Sequence, residues 1–251
     1  MNTTLDINRL GLLLKRYFIE NKQRELTFWG ITIVVFMLMR QKVSAEMFLY
    51  ISGFIFAARA FKVFNYTPGG MHYLLIPATH TEKLIINILL STFYFFVMIL
   101  VTYVIGTTIG TYLGNLIFGT YNSVNYELLN GSISIPWKDL TVHSTGLIDI
   151  FFLFALIQSI FMLGSVYFNR NAIGKTFLAL NGIGFIIGIM EMFIIKFSFG
   201  SYHFDGNTVY LTIFSNENFF SGYLTAAKIF KILLIPFLWV ISYYRLTEKQ
   251  V

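Results

Sequence analysis

Residues 66–83 read YTPGGMHYLLIPATHTEK, and two apolar blocks precede this stretch while four follow it. It holds Pro68 and Pro77, the pair Gly69-Gly70, and two of the four histidines, His72 and His80. It ends in Thr79-His80-Thr81-Glu82, where a Thr hydroxyl can accept a backbone N–H and the Glu three residues on can cap back. Pro77 breaks any helix arriving from before. A polar, turn-rich segment thus stops one element and starts a long apolar one near Leu84. It is predicted to lie on the cytoplasmic side of a membrane and to take force from a partner. An ordinary loop with an ordinary cap would carry the same residues.

The chain has 251 residues, 56% hydrophobic and 12% charged. Soluble domains carry about twice that charged fraction. With 28 Phe and 15 Tyr, a soluble chain of this size could not hide its apolar surface, so the composition indicates a membrane protein. There is no cysteine, hence no disulfide and no thiolate chemistry. The net charge of +6 does not argue for nucleic acid, because the cations cluster at the ends of apolar blocks. The first apolar core starts near Leu26 with no small-residue cleavage site after it, so it is expected to stay as an anchor.

The expected fold is an all-α polytopic membrane protein, a single domain over 1–251. Residues 5–24 place Leu10, Leu13, Leu14, Tyr17 and Phe18 at helical spacing, with Arg9, Lys15, Arg16, Lys22 and Arg24 between them. This suits an amphipathic helix in the headgroup plane. Six spans are predicted near 26–39, 45–64, 84–113, 147–168, 173–197 and 228–244. The third is longer than a bilayer needs, about 45 Å, and must tilt or project. Gly106, Gly110 and Gly114 recur every fourth residue and share one face, which permits close backbone contact within the chain or in a dimer seam. Gly184 and Gly188 repeat the spacing on the fifth span.

Outer insertions are expected at 114–146 and 198–227. Asn130-Gly131, ahead of SISI, signals a hairpin turn with short strands. Glu191 falls near the outer interface and is a candidate outer gate, or a structural partner of Lys196. With an inside N-terminus, twelve of the eighteen cations fall on the inner side, which favours cytoplasmic termini. Lys228 and Lys231 fit poorly, as a charged pair leading an outer helix end.

No catalytic or metal site is expected. There is no GxxxxGK[ST] phosphate loop, no HExxH and no GxSxG, and the four histidines are scattered. The third and fourth spans hold neutral polar groups such as Asn87, Ser91, Thr102, Gln158 and Ser159, which suit interhelical hydrogen bonding or a substrate path.

At Leu75-Ile76-Pro77-Ala78-Thr79 and Glu82-Lys83 the chain resembles the bacterial ABC-2 type transporter permeases, which often carry LPAS-x-x-EKF between their second and third spans. Ile76, Thr79 and Leu84 depart from that pattern. The resemblance covers about ten residues as a motif and most of the chain as architecture. It implies a bacterial inner-membrane permease, not itself an enzyme, pairing with a second copy or a related permease. Cytoplasmic ABC ATPase subunits would bind ATP and Mg, and this chain would bind no cofactor. Tyr73, Leu74, Leu75, Pro77, Thr79, Glu82 and Lys83 would form the coupling element that docks on the ATPase. A substrate-capture subunit and an integral membrane enzyme are the other classes open.

Overall fold

The computed structural model describes residues 6–39, 45–58, 78–119, 123–124, 126, 132–134, 141–143, 146–168, 171–199 and 217–248. Apart from one short hairpin, the regular structure over these residues is helical. Helix α1 spans Ile7–Met39 and α2 spans Ala45–Ala58. A continuous rod follows: α3 (His80–Ile88), a π-helical turn (Leu89–Tyr94) and α4 (Phe95–Phe118). Strands β1 (Ser132–Ser134) and β2 (Thr141–His143) come next. The chain continues through α5 (Leu147–Tyr167), α6 (Ala172–Phe199) and α7 (Glu217–Glu248).

Four helical stretches are long and apolar enough to cross a membrane: His80–Phe118, Leu147–Tyr167, Ala172–Met190 and Lys228–Glu248. This is a helical membrane protein by length and composition, with four such stretches among the described residues where the sequence predicts six spans. Helix α2 is apolar but short over its described residues, and the apolar half of α1 follows directly on Arg24 and Glu25.

The amphipathic stretch and first apolar block form one helix. No proline or glycine stands between Gly11 and Gly30, so nothing in the backbone forces a break at the change of composition. The rod from His80 ends at Gly119, whose left-handed φ of 62° is the usual helix stop. The short strands form, antiparallel, with Ile133 paired to Val142 and Ser132 to His143; Asn130-Gly131 lies outside the described residues. Helix α7 begins at Glu217, so 217–227 extends the last helix within the interval read as an outer or re-entrant segment. Glu191 lies in α6, its side chain outside the described residues.

The contacts set helix directions. Asp6 and Arg9 meet Glu82, Trp29 packs on Phe95, and Phe36 packs on Tyr103, so α1 runs parallel to the rod. Phe36 also packs on Phe48, placing the end of α1 beside the start of α2. Phe95 stacks on Phe154, while Leu84 and Ile88 share a cluster with Met162 and Val166, so α5 runs antiparallel to the rod. Lys228 pairs with Asp149 at 3.4 Å and Arg245 lies over the Tyr167 ring, which makes α7 parallel to α5. The Asp149 partner explains why Lys228 can stand at the head of the apolar part of α7.

The core is aromatic: Trp29, Phe36, Phe95, Phe96, Tyr103 and Phe154 are buried together where α1, α4 and α5 meet. Close approaches at Gly53, Gly106, Gly110 and Gly164 depend on glycine. A Cβ on Gly53 would stand 2.5 Å from Gln158 Nε2, and one on Gly164 would strike the Thr176 side chain. On Gly110 it would lie within clashing distance of the Met37 carbonyl oxygen.

Candidate functional site

The predicted cap forms. The Glu82 N–H donates to Thr79 Oγ1 (3.3 Å), and Glu82 Oε2 accepts the Thr79 N–H (2.8 Å). Thr79 has extended backbone, φ −70° and ψ 158°, as an N-cap residue should. The same carboxylate does more than close its own helix. Its Oε1 accepts the backbone N–H of Asp6 at 3.1 Å and lies 3.6 Å from Arg9 Nε. Asp6 is itself the cap of α1: its carboxylate accepts the Asn8 N–H, and its carbonyl accepts the Leu10 N–H.

Two helix N-termini therefore converge on one acid. Each presents unpaired N–H groups and the positive end of its dipole, and Glu82 answers both. No atom of Glu82 is exposed to solvent, and Lys83 is 4% exposed. These two members of the predicted coupling set lie inside the chain's own packing, with Glu82 joining α3 to α1. Tyr73, Leu74, Leu75 and Pro77 lie outside the described residues.

A second joint between α1 and the rod lies farther along. Glu25 Oε1 accepts the Tyr17 hydroxyl (2.8 Å), and its Oε2 accepts Trp29 Nε1–H (2.9 Å) and the Tyr94 hydroxyl (3.2 Å). Burial, and then the neighbouring Glu25 carboxyl, push the Tyr17 phenol well above its usual pKa, so it remains a donor. Phe18 packs edge-on against Tyr94, and Trp29 does the same. Tyr94 closes the π-helical turn, a geometry that recurs at functional sites. Glu25 and Tyr94 are absent from the sequence-derived candidates. The available signal was a lone acid at the head of an apolar block, one turn before a Trp on the same face.

Of the glycine candidates, Gly106 and Gly110 pack against α1. A Cβ on Gly106 would lie 2.7 Å from Phe36 Cβ and 2.8 Å from the Ile33 carbonyl. Gly114 is buried one turn farther on. This assigns Gly106 and Gly110 to an intrachain contact. A Cβ on Gly184 or Gly188 would meet nothing within 4 Å. The surrounding face of α6 exposes Phe177, Leu178, Phe185 and Ile186, as a lipid- or partner-facing surface would.

Among the described residues, no three His, Asp or Glu side chains gather as metal ligands. No protein family, curated protein or solved structure matches the chain.

Proposed function

We propose that this protein is the permease subunit of an ATP-driven exporter in a bacterial inner membrane, with energy supplied by a separate cytoplasmic ABC ATPase. The cargo would be a lipid, a peptide or a hydrophobic small molecule. The observation that carries this reading is the joint at Glu82. A segment that takes force from a partner must end in something rigid, and 66–83 ends in a closed capping box. A force path must then lead into the bundle. The Glu82 carboxylate joins that box to the start of α1, which runs beside the rod past Phe95 and Tyr103 to Gly110. Helices of alternating direction fit six crossings with both termini in the cytoplasm.

Leu75 tests the docking role. Leu75→Asp is expected to leave expression and helicity intact while abolishing co-purification of the ATPase and stimulation of its hydrolysis. An interface anchor lost from a desolvated patch weakens binding by about 2–4 kcal/mol, roughly 30- to 1000-fold. Full ATPase binding and stimulation by Leu75→Asp would place docking elsewhere.

Orientation has its own measurement. The natural chain has no cysteine, so single cysteines at Lys138 and Asn169 can be labelled with an impermeant maleimide in intact cells. The Lys138 position should react and the Asn169 position should not, until the cells are opened. Reaction of both in intact cells would contradict cytoplasmic termini.

A further inference from the structure

Four polar atoms without a hydrogen-bond partner fall on two adjoining helical segments: Ser91 Oγ, Thr92 Oγ1, and both Nε2 and Oε1 of Gln158. Ser91 is 1% exposed, and Thr92 and Gln158 are 0% exposed. The antiparallel packing puts them at one level. Phe95 and Phe96 meet Phe154 across the rod and α5. One turn back from those phenylalanines stand Ser91 and Thr92, and one turn on from Phe154 stands Gln158. The next turns again meet, Ile88 with Met162. Helix α2 closes this level, because Gly53 has no side chain to hold it off the Gln158 amide.

These hydroxyls differ from their neighbours. Thr32 donates to the Phe28 carbonyl, Ser52 to Phe48, Thr102 to Met98 and Ser242 to Leu238, each one turn back in its own helix. That is how buried Ser and Thr in apolar helices satisfy themselves. Ser91 and Thr92 lie in the π-helical turn and make no such bond. The wider turn changes where the preceding carbonyls stand relative to the side chains. Buried polar groups in folded proteins are paired as a rule, and four orphan atoms gathered at one level call for a partner.

We propose that Ser91, Thr92 and Gln158 form a binding site for a neutral hydrogen-bonding group of a membrane-soluble amphiphile. Its apolar body would lie against the rings of Phe95 and Phe154. The amide offers donors and acceptors together, and each hydroxyl can do either. All three side chains are uncharged, so a hydroxyl or amide is matched while a phosphate or ammonium would lack a counter-charge. Binding here does not depend on the ATPase. The further assignment of this site to the exported cargo rests on the transport reading above.

The test uses the purified full chain in phosphatidylcholine nanodiscs, without ATPase. A diazirine-bearing octanol and the matching diazirine octane are photolysed, and labelled peptides are mapped by mass spectrometry. The alcohol should label peptides covering 89–96 or 154–161 at least fivefold more than the alkane. Gln158→Leu, and separately Ser91→Ala with Thr92→Val, should erase that excess, and thermal stability should rise as the orphan groups are removed. If Gln158→Leu does not fold, the hydroxyl pair carries the test alone. Equal labelling by the two probes, or an excess unchanged in the variants, overturns the proposal and leaves a polar layer that holds water or only packs. Specific labelling without export of any alcohol-bearing cargo would uphold the site and count against the transport reading instead.

Discussion

Gly110→Leu should prevent α1 from seating on α4, and the protein should be recovered largely unfolded or aggregated. A Cβ at this position would stand 3.0 Å from the Met37 Cα as well as against the Met37 carbonyl. Both are backbone atoms, so no rotamer change relieves the contact. Even Gly110→Ala must shift one helix by a sizeable fraction of an ångström. Overpacking of that kind costs about 1–3 kcal/mol, partly offset by the roughly 1 kcal/mol by which Ala favours a helix over Gly. Leu gains a similar helix propensity over Gly but adds three more carbons to the same point, far more than that gain can offset. Gly184→Leu is the matched control, since a side chain there meets open space within the chain. Its unfolding midpoint should match the unsubstituted protein, and detergent-solubilised thermal unfolding of all three variants checks the order. Gly110→Leu folding as well as Gly184→Leu would mean the helices do not approach this closely.

That pair also shows what could be read without coordinates. The spacing of Gly106, Gly110 and Gly114 identifies a face able to approach another backbone, because helix periodicity is local. Which helix comes is not local, so an intrachain contact and a dimer seam were both open until Met37 was seen opposite Gly110. The Thr79–Glu82 cap was fully legible, since its chemistry is contained within four residues. Its second use was not, since Asp6 and Arg9 lie more than seventy positions away along the chain. The division of α1 into an interfacial helix and a span misled for a different reason. The fall in charge after Glu25 reports surroundings, whereas a helix ends only where its hydrogen bonds are interrupted. The π-helical turn at Leu89–Tyr94 leaves no local signature.

Glu82→Ala should loosen the start of α1 and the start of α3 together. The substitution leaves the Thr79 and Asp6 N–H groups without their acceptor and removes one of the carboxylates beside Arg9. A lost cap costs about 1 kcal/mol, and a charge-assisted bond removed from a solvent-shielded position about 1.5–3 kcal/mol. The carboxylate sits at the first turns of two helices, and the lower end of the combined range applies, about 2.5 kcal/mol. Glu82→Gln keeps the shape and an acceptor oxygen but loses the charge that faces two helix N-termini, and should cost about half as much. Hydrogen exchange would locate the effect: faster exchange at residues 7–12 and 80–84, with the stretch around Phe95 and Phe154 unchanged. Exchange that quickens uniformly would reveal a general loss of stability and no local joint. In the proposed exporter, Leu75 and Glu82 should fail differently. Leu75→Asp breaks docking, so the ATPase is lost. Glu82→Ala breaks the link behind the docking surface, so the ATPase should still co-purify and hydrolyse ATP while transport falls at least tenfold. Transport at the unsubstituted level in Glu82→Ala, despite faster exchange at both helix starts, would show that force enters the bundle by a route other than α1.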